Sequence, residues 1–182
     1  MVAGSILPVS VNSQGELVFL FGKENKYEDS ASGFSDFGGG TDNTESFLET
    51  AIREGGEELT GFLGSSKDIK KLLKKTYKID HKSEGHSTYR MHIFSYPYDP
   101  MLEFYYNNNQ RFLQKKLDPE IIKKSKIFEK EEIRWVCIDD LKKMRPKFRS
   151  YFQHIVDDIL SQRNEIHQFI SSSSKKTRKN KK

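Results

Sequence analysis

A run of acidic residues with helical spacing constrains this chain more than any other feature. The sequence predicts a helix from Ser46 to Leu59, in which Glu54, Glu57 and Glu58 stand at i, i+3 and i+4. At about 100° per residue, these three carboxylates share one edge of the helix. The apolar residues form a separate stripe that can face a core; they are Leu48, Ala51, Ile52 and Leu59.

The three carboxylates indicate a metal site. Like charges on one helix edge repel one another unless a cation lies among them, and oxygen ligands at this spacing suit Mg²⁺ or Mn²⁺. The run 38–40 is all glycine, so the backbone before the helix can approach an anion closely. Arg53 can orient one carboxylate through a bidentate pair. The alternative is a solvated acidic helix face that binds nothing.

The same stretch resembles the Nudix box, which spans residues 39–61 here. The box reads Gly, five residues, Glu, seven residues, Arg-Glu, an aliphatic residue, any residue, Glu-Glu, any residue, Gly and an aliphatic residue. The matching positions are Gly39, Glu45, Arg53, Glu54, Glu57 and Glu58.

Two positions depart from that pattern. Gly55 replaces the aliphatic residue, and Thr60 stands where the closing glycine is expected, with Gly61 one place late. Gly55 and Gly56 each cost about 1 kcal/mol relative to alanine in a helix interior. Replacing Gly55 with alanine is therefore expected to stabilise an ordinary helix, and a loss of stability would indicate a close approach that only glycine allows.

The resemblance implies an α/β fold, a Nudix-type α/β/α sandwich with a mixed sheet. It also implies that Mg²⁺ or Mn²⁺ supports hydrolysis of a diphosphate linkage. By the same resemblance, Glu54, Glu57 and Glu58 are the metal ligands, aided by the main-chain carbonyl of Gly39. Arg53, like Glu45, would be orienting or structural.

Many members of the family draw a further glutamate, as base or ligand, from the loop before a late strand. Glu129, Glu131 and Glu132 are expected in that loop. Glu131 is the preferred candidate for the catalytic set, although each of the three can equally be a solvated loop residue.

Hydrophobic periodicity predicts alternating strands and helices. The expected strands are 5–11, 16–21, 76–79, 89–98 and 133–138. The expected helices are 46–59, 66–74, 110–116, 139–144 and one long amphipathic helix over 152–169. A polar loop is expected over 27–40 and a turn over 81–86. Residues 1–170 would form a single domain.

A basic tail follows that domain. The chain carries a net charge of +5, yet residues 175–182 alone hold six basic groups and no acid, so residues 1–174 carry −1. The segment 171–182 lacks apolar residues and is predicted to be disordered. It can bind a polyanion such as RNA, act as a nuclear address or aid solubility.

Features that the sequence lacks indicate the cellular compartment of the protein. One cysteine excludes an internal disulfide, and the N-terminus lacks the basic start and apolar run of a signal peptide. No stretch of about 18 apolar residues is present. We expect a cytoplasmic protein without a membrane partner, with a nuclear location possible through the tail. Oligomeric state is not predicted.

Three hypotheses about function remain open. mRNA cap hydrolysis is favoured by the basic tail, by aromatic residues over 94–106 that can stack a base, and by lysines 70, 71, 74 and 75. The context around Glu45 and over 51–54 also resembles the decapping enzymes of large DNA viruses. The second hypothesis is hydrolysis of small nucleotides such as dinucleoside polyphosphates or nucleotide sugars. The third is a catalytically silent Nudix fold that binds nucleotides or RNA.

Overall fold

The computed structural model describes residues 2–25, 32–82, 88–125 and 129–179, and for 174–179 it describes the backbone alone. The strands are β1 (Val2–Val11), β2 (Leu17–Glu24), β3 (Phe34–Ser35), β4 (Phe37–Gly40), β5 (Tyr77–Lys82), β6 (Thr88–Ser95) and β7 (Lys130–Cys137). The helices are α1 (Phe47–Glu58), α2 (Ser66–Leu72), α3 (Leu102–Lys116), α4 (Pro119–Lys124), α5 (Leu141–Met144), α6 (Phe152–Ser161) and α7 (Arg163–Lys179).

The strands form one mixed sheet around β1. β1 runs parallel to β6 and antiparallel to β2 and β4. β3 and β7 pair with β2, and β5 pairs with β6, all antiparallel. The strands expected over 5–11 and 16–21 thus pair as a hairpin, and the mixed sheet that the resemblance implies is confirmed.

Helices cover both faces of the sheet. Neighbouring residues of a strand point to opposite faces, and Ile6 and Leu7 of β1 accordingly enter two different hydrophobic clusters. Ile6 packs with residues of α1, α2 and α3, whereas Leu7 packs with residues of α6 and α7. This arrangement is the predicted α/β/α sandwich. Among the described residues, no helix is both long and apolar enough to cross a membrane.

The long helix predicted over 152–169 is wrong in one respect, because it is two helices. α6 ends at Ser161, and Gln162 leaves helical geometry with φ −105° and ψ 18°. Ser161 Oγ donates to the Asp158 carbonyl at 2.8 Å, a bond that competes with the helix backbone. The Tyr77 hydroxyl holds the Gln162 side chain by donating to its Oε1 at 2.8 Å. Both helices still bury isoleucines in the same cluster.

The segment 171–179 is helical, whereas the sequence predicted a disordered tail from residue 171. Extending a helix that is already nucleated costs far less than starting one, and α7 is anchored by buried Ile166 and Ile170. Residues 180–182 lie outside the described residues.

Four other regions differ from the sequence prediction. Within the expected loop 27–40, buried Phe34 and Phe37 lie in strands β3 and β4, while residues 26–31 lie outside the described residues. α3 begins at Leu102 rather than at 110, since Leu102 and Tyr106, one turn apart, are both buried. α4 was not predicted. The first residues of the expected turn 81–86 belong to β5, and 83–87 are not described.

Candidate active site

α1 begins where the sequence predicted, at an N-cap formed by Ser46. The Ser46 side chain accepts a hydrogen bond from the Glu49 N–H, and the Glu49 carboxylate accepts one from the Ser46 N–H at 2.9 Å. Asp42 and Glu45 form a turn just before the helix. This capping box therefore sets the start of α1, the helix that carries Glu54, Glu57 and Glu58.

Glycines allow α1 to lie very close to β1. A Cβ atom on Gly4 would stand 2.2 Å from the Phe47 carbonyl oxygen, and a Cβ on Gly55 would stand 2.3 Å from Ile6 Cδ1. Gly55 departs from the box pattern because the Ile6 side chain already fills the space of an aliphatic residue. Thr60, which stands where the box pattern has glycine, is left-handed with φ 51°, which is unusual for a β-branched residue.

Arg53 links the acidic residues of the box. Its guanidinium meets both oxygens of Glu45 at 3.0 Å, and it contacts Glu54 at 2.7 Å and Glu57 at 3.4 Å. It also donates to the Gly40 carbonyl at 3.0 Å. Hydrogen bonds from Arg53 lower the pKa of Glu45 to about 2. These contacts agree with the orienting role that the resemblance implies.

Glu54 and Glu58 both reach the glycine strand β4. A Cβ on Gly39 would stand 2.4 Å from Glu54 Oε1, so any larger residue there would displace this carboxylate. Glu58 Oε2 accepts a hydrogen bond from the Gly38 N–H at 2.7 Å. The glycine run and the acidic helix edge, which the sequence placed together, therefore meet in the fold.

The Glu57 side chain does not join Glu54 and Glu58 at strand β4. Its side chain is 51% exposed and lines a groove of about 570 Å³ between α1 and the N-terminal end of α2. Within the described ranges, no three acidic, histidine or cysteine side chains converge closely enough to hold a metal ion. The shared helix edge predicted for the three carboxylates thus does not bring all three together in this conformation.

A buried lysine that the sequence did not indicate contacts Glu58. Lys130 is 1% exposed, and its ammonium lies 2.9 Å from Glu58 Oε1 and 3.1 Å from Ser35 Oγ. It also donates to the buried carboxylate of Glu24, which Arg149 contacts at 2.6 Å. These residues are far apart in the chain and share no spacing, so sequence alone carries no signal for the cluster.

Burial and neighbouring charges shift the pKa values of Glu58 and Lys130 in opposite directions. Burial raises the pKa of Glu58 to about 8, while the Lys130 ammonium opposes that rise. Burial alone would lower the pKa of Lys130, but the Glu58 and Glu24 carboxylates outweigh it and raise that pKa. Lys130 therefore stays a cation among acceptors, and each of its ammonium hydrogens has an oxygen partner.

Glu131 and Glu132 lie in strand β7 and not in a loop before it, which corrects the expected placement. Glu131 forms an ion pair with Lys23 at 2.6 Å, and Glu132 pairs with Arg134 at 2.5 Å. The Glu129 carbonyl accepts the Asn25 N–H at 2.8 Å. At the start of β7, the residue that contacts Glu58 is Lys130. The choice of Glu131 as the catalytic base stays a prediction.

The donor set fits a hard divalent cation in its chemistry. Glu54 and Glu57 offer carboxylate oxygens, and the Glu54 carboxylate lies against the backbone of Gly39. Such oxygen ligands suit Mg²⁺ or Mn²⁺. Glu58 differs from them because its carboxylate already meets an ammonium and a backbone N–H.

Solved structures match the fold, whereas no family model and no curated protein matches the sequence. The NUDIX domain of Shewanella oneidensis NrtR, complexed with ADP ribose, has a TM-score of 0.52 at 14% identity, over 91% of this chain and 86% of that one. A MutT structure from work on Aliivibrio salmonicida and Vibrio cholerae has a TM-score of 0.51 at 12% identity, over 89% and 99%.

A third structure is larger than this chain. It is a bifunctional NMN adenylyltransferase/ADP ribose pyrophosphatase from Francisella tularensis, complexed with AMP and a Mn ion. Its TM-score is 0.51 at 14% identity, over 88% of this chain and 41% of that one.

The molecule is an α/β/α sandwich in which an acidic helix lies against a glycine-bearing strand of a mixed sheet. Its fold is that of the Nudix hydrolases, as the box over 39–61 predicts.

Proposed function

We propose that this chain is a pyrophosphohydrolase that cleaves a diphosphate linkage in a nucleoside diphosphate derivative with Mg²⁺ or Mn²⁺. The observation that carries the proposal is the position of Glu54 and Glu58. Glu54 lies against Gly39 and contacts the Arg53 guanidinium, and Glu58 accepts a hydrogen bond from the Gly38 N–H. The Nudix fold supports the same activity.

Each residue of the site has a distinct part in this proposal. Glu54, Glu57 and Glu58 would hold the cation together with the Gly39 carbonyl that the resemblance implies, and the cation would neutralise phosphate oxygens and activate a water. Arg53 fixes the orientation of Glu54 by its 2.7 Å contact. Glu131, beside a groove of about 200 Å³ that Arg111 also lines, is the proposed general base.

Amide substitutions test the metal ligands. In Glu54→Gln, Glu57→Gln and Glu58→Gln, the loss of one ligand charge should lower kcat/KM for a dinucleoside polyphosphate at least about a hundredfold. Steady-state assays with Mg²⁺ and Mn²⁺ measure this effect, and thermal unfolding checks that each variant folds. Glu165→Gln, an exposed glutamate of α7, serves as the matched control. Wild-type turnover in the three ligand variants would contradict the proposal.

We further propose the mRNA cap as the substrate. The support is the basic tail, which can bind RNA phosphates, together with exposed aromatic residues on α3. Small-nucleotide hydrolysis is the second candidate, favoured by the ADP ribose and AMP found in similar structures. A catalytically silent fold is disfavoured, because all three box carboxylates are present.

One assay separates these candidates. The protein is incubated with Mg²⁺ or Mn²⁺ and either cap-labelled RNA or a panel of free nucleotides, and the products are identified. Methylated guanosine diphosphate released from RNA, with the free nucleotides intact, supports cap hydrolysis. A nucleoside monophosphate released from free dinucleotides supports the second candidate, and no product from either supports a silent fold.

A further inference from the structure

The outward face of α3 carries aromatic side chains and cations. Four large apolar side chains there are between 44% and 60% exposed, namely Met101, Phe104, Tyr105 and Phe112. Three exposed cations lie on the same side of the helix at about 100° per residue, namely Arg111, Lys115 and Lys116. We call these seven residues the α3 face. None of the exposed residues from 101 to 116 is acidic.

The opposite side of α3 is fixed to the body of the protein. The Tyr106 hydroxyl lies 3.3 Å from the Glu58 carbonyl and 3.2 Å from the Lys130 carbonyl. The Asn107 amide pairs with the Ile133 backbone, donating at 3.0 Å and accepting at 2.8 Å. Since these buried contacts set the rotation of the helix, the aromatic side chains of the α3 face cannot turn inward.

The α3 face continues towards the candidate active site. Arg111 belongs to the face and also lines the groove that contains Glu131 and Glu132. Both glutamates are paired with cations, so they leave little uncompensated negative charge in the groove. The groove borders the start of β7, where Lys130 contacts Glu58. An anionic chain lying along the α3 face could therefore reach the site.

We propose that the α3 face binds single-stranded RNA. Phe104, Tyr105 and Phe112 stack on unpaired bases, while Lys115 and Lys116 meet the phosphates. Phe104 and Phe112 are about 12 Å apart along the helix axis, which spans a few nucleotides. Only the hydrolysis of a bound RNA rests on the proposed function. RNA binding itself is measured without catalysis.

The charge pattern favours RNA over other occupants. A second copy of this chain would bring two sets of three cations together, which repel. A membrane surface would require an apolar face separate from the cations, but Lys115 lies between Phe104 and Phe112 around the helix. A polyanion with unpaired bases satisfies both kinds of side chain at once.

The test measures binding of a fluorescent, uncapped single-stranded oligoadenylate to the full chain by anisotropy, with EDTA present to prevent cleavage. The triple variant Phe104→Ala, Tyr105→Ala, Phe112→Ala should raise Kd at least about tenfold, even at salt concentrations that suppress phosphate contacts. The double variant Lys115→Gln, Lys116→Gln should lower the salt slope of log Kobs by about 1.4, or about 0.7 for each lost phosphate contact.

Matched controls make the result specific. Lys142→Gln, Lys143→Gln on α5, two exposed lysines away from α3, should leave Kd within about twofold of the wild type. A triple variant that binds as tightly as the wild type overturns the inference. So does equal affinity for a duplex, or binding to anionic vesicles in place of RNA. If the wild type hydrolyses no nucleotide with Mg²⁺, the proposed function fails while the RNA result stands.

Discussion

At the scale of single residues, Lys130 shows how this fold holds negative charge inside. Its ammonium touches two buried carboxylates, Glu24 and Glu58, and the Ser35 hydroxyl. Desolvating these groups costs several kcal/mol per ion, which only close pairing offsets. The pairing therefore matters more to stability than an ion pair at the surface would.

Replacing the buried ammonium should be costly. In Lys130→Met, two carboxylates lose their shared partner, and the free energy of unfolding should fall by about 3–5 kcal/mol in urea titrations. The control is Lys23→Met, which breaks the partly exposed pair with Glu131 and should cost less than about 1 kcal/mol. Similar losses in the two variants would show that burial adds nothing to the Lys130 pairing.

The charged residues of the Nudix box from 53 to 58 could be read from the sequence because they lie on one helix, where spacing defines geometry. Ser46 as N-cap and the contact of Arg53 with Glu57, four residues on, follow from such local rules. Lys130 could not be found in this way, because its contacts depend on the pairing of β2 with β7. The same pairing places Glu131 within a strand.

At the scale of elements, the two adjacent glycines of α1 have different environments. A Cβ on Gly55 would collide with Ile6 Cδ1 at 2.3 Å, while a Cβ on Gly56 would meet Ile69 Cδ1 at an ordinary 3.5 Å. Helix propensity treats the two positions alike, and only the distance between α1 and β1 distinguishes them.

Alanine substitutions should therefore have opposite effects in one helix. Gly56→Ala should raise the free energy of unfolding by about 1 kcal/mol, because alanine favours the helix. Gly55→Ala should lower it by about 1–3 kcal/mol, because the added methyl overpacks against β1. Thermal and urea unfolding measure both variants. Stabilisation by both would mean that Ile6 moves aside easily and that the departure from the box has no packing cause.

Element boundaries were predicted best where a helix or strand has its own signal. The hairpin of β1 and β2 and the start of α1 follow from turns and caps. β4 was missed because Gly38, Gly39 and Gly40 have no strand propensity. They form a strand because glycine lets β4 approach β1, where a Cβ on Gly38 would stand 2.2 Å from Ser5 Cβ.

At the scale of the whole molecule, charge is divided between a nearly neutral body and a basic end. Deleting residues 175–182 removes six basic groups and spares buried Ile170. If each group meets one phosphate, the salt slope for single-stranded RNA should fall by about 4. Anisotropy titrations over a range of salt concentrations test this, with a same-length glutamine replacement as control. An unchanged slope would remove the tail from RNA binding.

The layered architecture was predicted through the box, because a resemblance carries a fold that local patterns do not. The split between α6 and α7 and the helical course of 171–179 escaped prediction. Both depend on what α6 and α7 pack against, namely the sheet face that holds Leu7. Tertiary packing decides such boundaries more strongly than propensity does.

The central place of β1 has a consequence for synthesis. This strand leaves the ribosome before its neighbours, yet it pairs with β4 and β6 as well as with β2. Until β6 has emerged, the nascent hairpin keeps an open hydrogen-bonding edge and an uncovered apolar surface, both of which favour aggregation. Messages truncated before residue 95 should therefore yield products that require chaperones or are degraded.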